Sequence, residues 1–191
     1  MLAELLAHPG VEERCELRSR FGFMAFHGGN LERGTDMIAT AAAEQSGASL
    51  YAIVQPADLR WHIPSTSFSP EASPALARFV GHVSVVVALH GYGRDGFWTT
   101  LLLGGGNREL AAAVGTELRV RLPGFTIEDD VDAIPAALRG LHPANPVNLP
   151  EGGGVQLELP PRVRGQAPTS QAWHIEAVID ALAATASAFP V

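Results

Sequence analysis

The chain has 191 residues, enough for one domain, and its 47% hydrophobic content supports a sizeable core and excludes global disorder. Acidic residues outnumber basic ones, 20 − 13 = 7, so the basic footprint of a nucleic-acid binder is missing. The single cysteine, Cys15, has no internal disulfide partner, and no run approaches the ~18 apolar residues of a membrane span.

The opening stretch MLAELLAHPGVEER lacks a basic signal region and predicts a short amphipathic helix ended near His8 and Pro9. A cytoplasmic or phage-released protein without signal peptide or membrane contact is the expectation. Short apolar runs then predict strands at 21–26, 49–54, 83–89, 98–103, 118–122 and 155–159. Several are almost continuously hydrophobic, which suits strands covered on both faces. Helical patterns fill the intervals at 36–46, with Thr35 as N-cap and Gly47 beyond the end, at 107–117, and at 171–188. The alternation predicts an α/β fold, one domain over residues 1–191, with a mixed, mostly parallel sheet between helix layers. Residues 56–80 and 140–154, rich in proline or glycine, read as long loops of the kind that carry function.

The first strand ends in AFHGGNLERGT, placing His27 before two glycines and Glu32 five residues on. A second strand, VSVVVALHGYG, also ends on a histidine, His90, followed by glycine. Ligands of open α/β sheets bind outside the carboxyl ends of strands, so both imidazoles can face one crevice. Two imidazoles and a carboxylate form a catalytic zinc set with a fourth position open for water, which is amide-hydrolysis chemistry. His27 and Glu32 would lie on different sides of a helix, so they must converge through the glycine turn. The alternative is a turn before a helix, with Glu32 favouring the helix dipole.

In GGGVQLELPPRVR, Glu158 interrupts an apolar strand and shares a face with Gln156. A carboxylate buried there has a raised pKa useful to a general base, while on an edge strand it would simply face water. Arg164 and Arg94 are candidates to steady an oxyanion or grip a substrate carboxylate. Asn145 and Asn148 suit either substrate contact or turns. His8, His82, His142 and His174 have no partner at ligand spacing and read as structural or exposed. LLLGGGNREL looks like a phosphate-binding turn but lacks the lysine and hydroxyl residue of a P-loop.

In order, AFHGGNLERGTDMIATAAAE, SLYAIVQ, WHIPSTSF, VVVALHGYG, LLLGGGNRELAAAVGTEL and NPVNLPEGGGVQLELPPRVR resemble the poly-γ-glutamate hydrolase family of phages and bacteria. The likeness runs from about residue 15 to the last helix, and its most specific element is His-Gly-Gly-x-x-Glu-x-Gly-Thr. It implies a fold related to the zinc carboxypeptidases and one Zn2+ per chain held by His27, Glu32 and His90. It further implies Glu158 as general base, an anionic γ-glutamyl polymer or peptide as substrate, and His62 as a substrate contact. Against the His-x-x-Glu of zinc carboxypeptidases, two further residues separate His27 from Glu32. Two rivals remain open: a zinc amidohydrolase of the same architecture acting on another N-acyl amino acid or γ-linked peptide, and a non-catalytic binding protein of the same fold. The shortage of basic residues weighs against a polyanion. The sequence leaves the oligomeric state open.

Overall fold

A computed structural model describes residues 1–191. One seven-stranded sheet organises the chain, with β1 (Glu12–Glu16), β2 (Phe21–Gly29), β3 (Ser49–Gln55), β4 (Val85–Gly91), β5 (Thr100–Leu103), β6 (Thr126–Glu128) and β7 (Gly154–Leu159). Their spatial order is β1-β3-β2-β4-β7-β5-β6. The four central strands β3, β2, β4 and β7 run parallel, β1 and β5 are antiparallel to β3 and β7, and β6 is parallel to β5. The expected mixed, mostly parallel α/β sheet is therefore present.

Period-2 alternation divides the apolar side chains between two cores. Phe21, Phe23 and Ala25 of β2, Val85, Val87 and Leu89 of β4, and Val155, Leu157 and Leu159 of β7 pack on one face. That face is covered by α2 (Thr35–Ser46), α4 (Arg108–Arg121) and α5 (Ala172–Ala188). Met24, Phe26, Val86 and Ala88 pack on the other, against α1 (Leu2–Leu6) and α3 (Pro74–His82), which contribute Leu2, Leu5, Leu76 and Phe79. None of these helices is long and apolar enough to cross a membrane.

Four local expectations need correction. Residues 118–122 are not a strand: they complete α4 and its C-cap. Leu118 and Leu122, four apart, are buried while Val120 is 73% exposed, so the alternating Leu-Arg-Val-Arg-Leu pattern is a helical stripe. The 56–80 loop ends early, because Ser73 caps α3 by accepting a hydrogen bond from the Leu76 amide, with Pro74 in the first turn. Thr35 opens α2 rather than capping it, and its hydroxyl donates to the Glu32 carbonyl. The sheet also gains two edge strands that hydropathy did not reveal: β1, a charged Glu-Glu-Arg-Cys-Glu, and the three-residue β6. Charge on an edge strand protects it from pairing with other chains.

If α4 extends to Arg121, Leu118→Ala destabilises the protein by about 2–4 kcal/mol, whereas Val120→Ala changes stability by less than about 0.5 kcal/mol. Urea unfolding of both variants checks this, since a buried strand at 118–122 would put Val120 on the same face as Leu118 and make both positions costly.

Candidate metal centre

Parallel neighbours bring the carboxyl ends of β2, β4 and β7 side by side, and each ends near an ionisable residue. His90 and Glu158 are direct cross-strand partners on the α1/α3 face. His27 reaches the same face through a bulge. The β2–β3 register slips between Ala25 and Gly28, which interrupts strict alternation so that Phe26 and His27, though consecutive, both approach the His90 ring, Phe26 at 6.0 Å. The His27 ring then lies 5.2 Å from that of His90 and edge-on to Phe68.

Beyond His27 the chain turns through Gly29, whose φ is +70° and where a Cβ would stand 2.1 Å from the Gln55 carbonyl oxygen. Only glycine fits that approach. The Glu32 amide donates to the His27 carbonyl at 2.8 Å, closing the loop and returning the Glu32 side chain to the strand ends. One carboxylate oxygen lies 2.9 Å from His27 Nδ1, and the other accepts from the Gly91 amide at 2.9 Å and lies 3.5 Å from His90 Nδ1. The potential ligand atoms of His27, Glu32 and His90 all fall within 4.8 Å of one another.

The chemistry of these atoms fits a cation. His27 Nε2 is buried 2.8 Å from the Ile63 carbonyl, an acceptor, so Nε2 must carry the hydrogen. A neutral His27 then turns the lone pair of Nδ1 toward a carboxylate oxygen, and two acceptors meet at 2.9 Å. A cation between them, or a second ring proton, resolves the conflict. His90 Nε2 is buried without any hydrogen-bond partner. Burial raises the Glu32 carboxyl, but His90 and then His27 outweigh it and hold the group well below the ordinary carboxylate range. Burial pulls His90 down, yet Glu32 and Glu158 reverse that and leave its imidazole above its usual value. These opposing shifts mark a site built around strong local charge.

Glu158 is only 4% exposed. Its carboxylate accepts from Gln156 Nε2 at 2.9 Å, and Gln156 Oε1 accepts from Asn145 Nδ2 at 2.8 Å, all three groups being buried. Burial, the largest influence, and the nearby Glu32 push the Glu158 carboxyl up against the pull of His90 and Gln156. A cavity of about 580 Å³ opens over these groups, its wall including His62, Arg60, Tyr92 and His142. The His62 ring stands 4.9 Å from that of His27.

Three expected side chains stand elsewhere or act differently. Arg164 does not face the cavity: it is buried and donates to the carbonyls of Leu159, Arg33 and Tyr92 at 3.0, 2.7 and 3.3 Å. With its guanidinium committed to backbone, it ties the ends of β4 and β7 to the Glu32 loop. Arg94 is exposed on the loop after β4, outside the cavity wall. Asn145 reaches the cavity but gives its amide to Gln156. His142, expected to be structural or exposed, is exposed and stands on the cavity wall. Arg60 was missed because nothing in DLRWHIP distinguishes it from a solvated loop arginine.

A sequence model described as poly-gamma-glutamate hydrolase matches residues 3–173. The chain belongs to the poly-gamma-glutamate hydrolase family. The fold is shared with a bacteriophage poly-gamma-glutamate hydrolase, 22% identical with a TM-score of 0.77 over 95% of this chain and 91% of that one. It is also shared with zinc-free YNDL, 22% identical at a TM-score of 0.74 over the same proportions. A metallo-carboxypeptidase from Burkholderia cenocepacia is more distant, at 9% identity and a TM-score of 0.53 over 97% of this chain and 66% of its own. No curated protein matches the chain. Family membership and fold thus agree with the resemblance carried by the His27–Glu32 block.

The raised Glu158 carboxyl has a consequence for stability. The metal-free folded protein holds this proton more tightly than the unfolded chain, whose glutamates titrate near about 4.3. Folding is therefore favoured below that pH, and the advantage is lost as pH rises through the folded value. Glu158→Gln is expected to raise the melting temperature of metal-free protein at pH 8 more than at pH 5, measured by calorimetry with a chelator present. An equal shift at both pH values would contradict the raised pKa.

Proposed function

We propose that this family member hydrolyses γ-glutamyl amide bonds of poly-γ-glutamate with one zinc ion held by His27, Glu32 and His90. The observation that carries this reading is the convergence of two strand-end imidazoles and one loop carboxylate beside a buried Glu158. Zinc suits two nitrogens and one oxygen with a position left open. When bound, such an ion acidifies a water molecule and polarises a carbonyl oxygen.

The chain's own groups do the rest. Glu158 takes the proton of the attacking water and returns it to the departing amine, the general-base and general-acid halves of one carboxyl's work. Gln156, its own amide oriented by Asn145, holds one Glu158 oxygen and leaves the other free for that transfer. His27 is kept in the tautomer that presents Nδ1 by its hydrogen bond to the Ile63 carbonyl, and second partners of this kind fix ligand orientation. His62 lines the substrate's path. Arg164 positions the Glu32 loop against the strand ends and does not touch the reacting atoms.

Purified protein is expected to contain about one zinc per chain and to shorten poly-γ-glutamate. Glu32→Ala should lose the metal. Glu158→Gln should retain it while activity falls about 10²- to 10⁴-fold. Elemental analysis with viscometry or chain-length analysis of the polymer reads all three. Protein that takes up no metal when zinc is supplied, or an active Glu158→Gln variant, would remove this mechanism. A zinc-loaded protein inert on the polymer would favour an amidohydrolase with another substrate.

A further inference from the structure

Beside the metal cavity lies a second depression of about 310 Å³, lined by Asn30, Leu31, Arg33, Arg60, Arg164 and Gln166 with Pro161. It contains no acidic residue, and it shares Leu31 and Arg60 with the metal cavity, so an extended occupant passes from one to the other beside Arg60. Resting on the proposed γ-glutamyl chemistry, we propose that Arg33 and Arg60 form a carboxylate-binding subsite. Its ligand is the free α-carboxylate of a glutamyl unit adjoining the scissile bond.

Charge placement supports this. The chain's net charge is −7 and its basic side chains are 13 arginines with no lysine. Arg14, Arg18, Arg119, Arg121 and Arg139 pair with carboxylates of the protein; Arg33 and Arg60, like Arg20, Arg78 and Arg94, are exposed and pair with none, and of these five only Arg33 and Arg60 line the depression. Two unneutralised guanidinium groups in one concave site are a demand for an anion. Guanidinium also matches a carboxylate in two-pronged geometry, which an ammonium group does not.

The subsite is partly organised in advance. Asn30 Oδ1 accepts from Arg33 Nε and NH2 at 3.0 and 2.5 Å, while Asn30 Nδ2 donates to the Leu59 carbonyl at 3.2 Å. One amide therefore joins the Arg33 loop to the segment that carries Arg60. Arg164 is spent on three backbone carbonyls, one of them that of Arg33, so it anchors this loop while Arg60 and the outer edge of the Arg33 guanidinium, the one turned away from Asn30, remain for ligand. A γ-linked chain carries one α-carboxylate per unit, which gives such a site a regularly spaced ligand. This also answers the shortage of basic residues: few cations are needed when two free ones stand where the polymer must pass.

Arg60→Gln and Arg33→Gln, each checked for unchanged zinc content and melting temperature, are to be assayed on poly-γ-glutamate and on the same polymer with its α-carboxylates converted to carboxamides. Each substitution should raise KM for the acidic polymer roughly three- to tenfold, with kcat changed less than about twofold. On the carboxamide polymer, parent and variants should share one KM, and added salt should weaken the parent's preference for the acidic polymer. Arg60→Lys should restore only part of the loss. Unchanged KM in both glutamine variants, with the parent active, overturns the subsite and leaves the hydrolase reading intact. Should the parent prove inactive on the polymer, calorimetric binding of γ-linked pentaglutamate to zinc-loaded Glu158→Gln protein decides. Affinity that falls when Arg60→Gln is added sustains the subsite; no binding, or binding indifferent to Arg60, ends it.

Discussion

Two carboxylates, the buried Glu158 and the 12%-exposed Glu32, share one cavity at the end of an apolar sheet, and the surrounding structure answers the cost of removing them from water. Glu32 is compensated directly by two imidazoles and the Gly91 amide. Glu158 receives one amide hydrogen bond and remains the harder group to ionise. This asymmetry divides the labour: one carboxylate is shaped to stay charged and hold a cation, the other to exchange a proton. Similar groups in one cavity acquire separate roles because their partners differ.

The supporting groups have little freedom. Gly91 gives its amide to Glu32, and a Cβ on Gly91 would lie 2.7 Å from the Arg164 guanidinium carbon. The absence of a side chain there is thus what lets Arg164 pass behind the strand end and reach the carbonyls of Tyr92 and Arg33. On the other side, Asn145 comes from the proline-rich 140–154 loop to set the orientation of Gln156. A buried amide that both accepts and donates is held in one orientation, and that orientation presents an N–H to Glu158. Strands thus carry His27, His90 and Glu158, while loops bring Glu32 and the outer supports Asn145 and Arg164.

The family's carboxypeptidase-like architecture also explains where the cavity opens. Parallel strands deliver their carboxyl ends to one edge, and the loops that follow β2, β3 and β4 build its walls together with the connection between β6 and β7. Two long connections, expected from their prolines and glycines, meet over it: His62 and Arg60 come from one, His142 and Asn145 from the other. Their convergence makes a concave site from segments remote in sequence.

The sequence by itself determined the strand cores and the α/β class, and it marked His27, Glu32, His90 and Glu158 as candidates, because apolar periodicity and polar residues at the ends or in the middle of apolar runs are local signals; that these four stand together was decided by the tertiary structure. It misread 118–122, where a helical stripe imitates strand alternation, and it passed over β1 and β6, whose pairing rather than hydropathy makes them strands. The bulge that turns His27 toward His90 depends on register against β3, and register belongs to a pair of strands. The fate of each arginine was equally beyond local reading. Whether a guanidinium meets a backbone carbonyl, a carboxylate or an open cavity depends on which distant segments fold beside it, so only the tertiary structure separated Arg164 from Arg60.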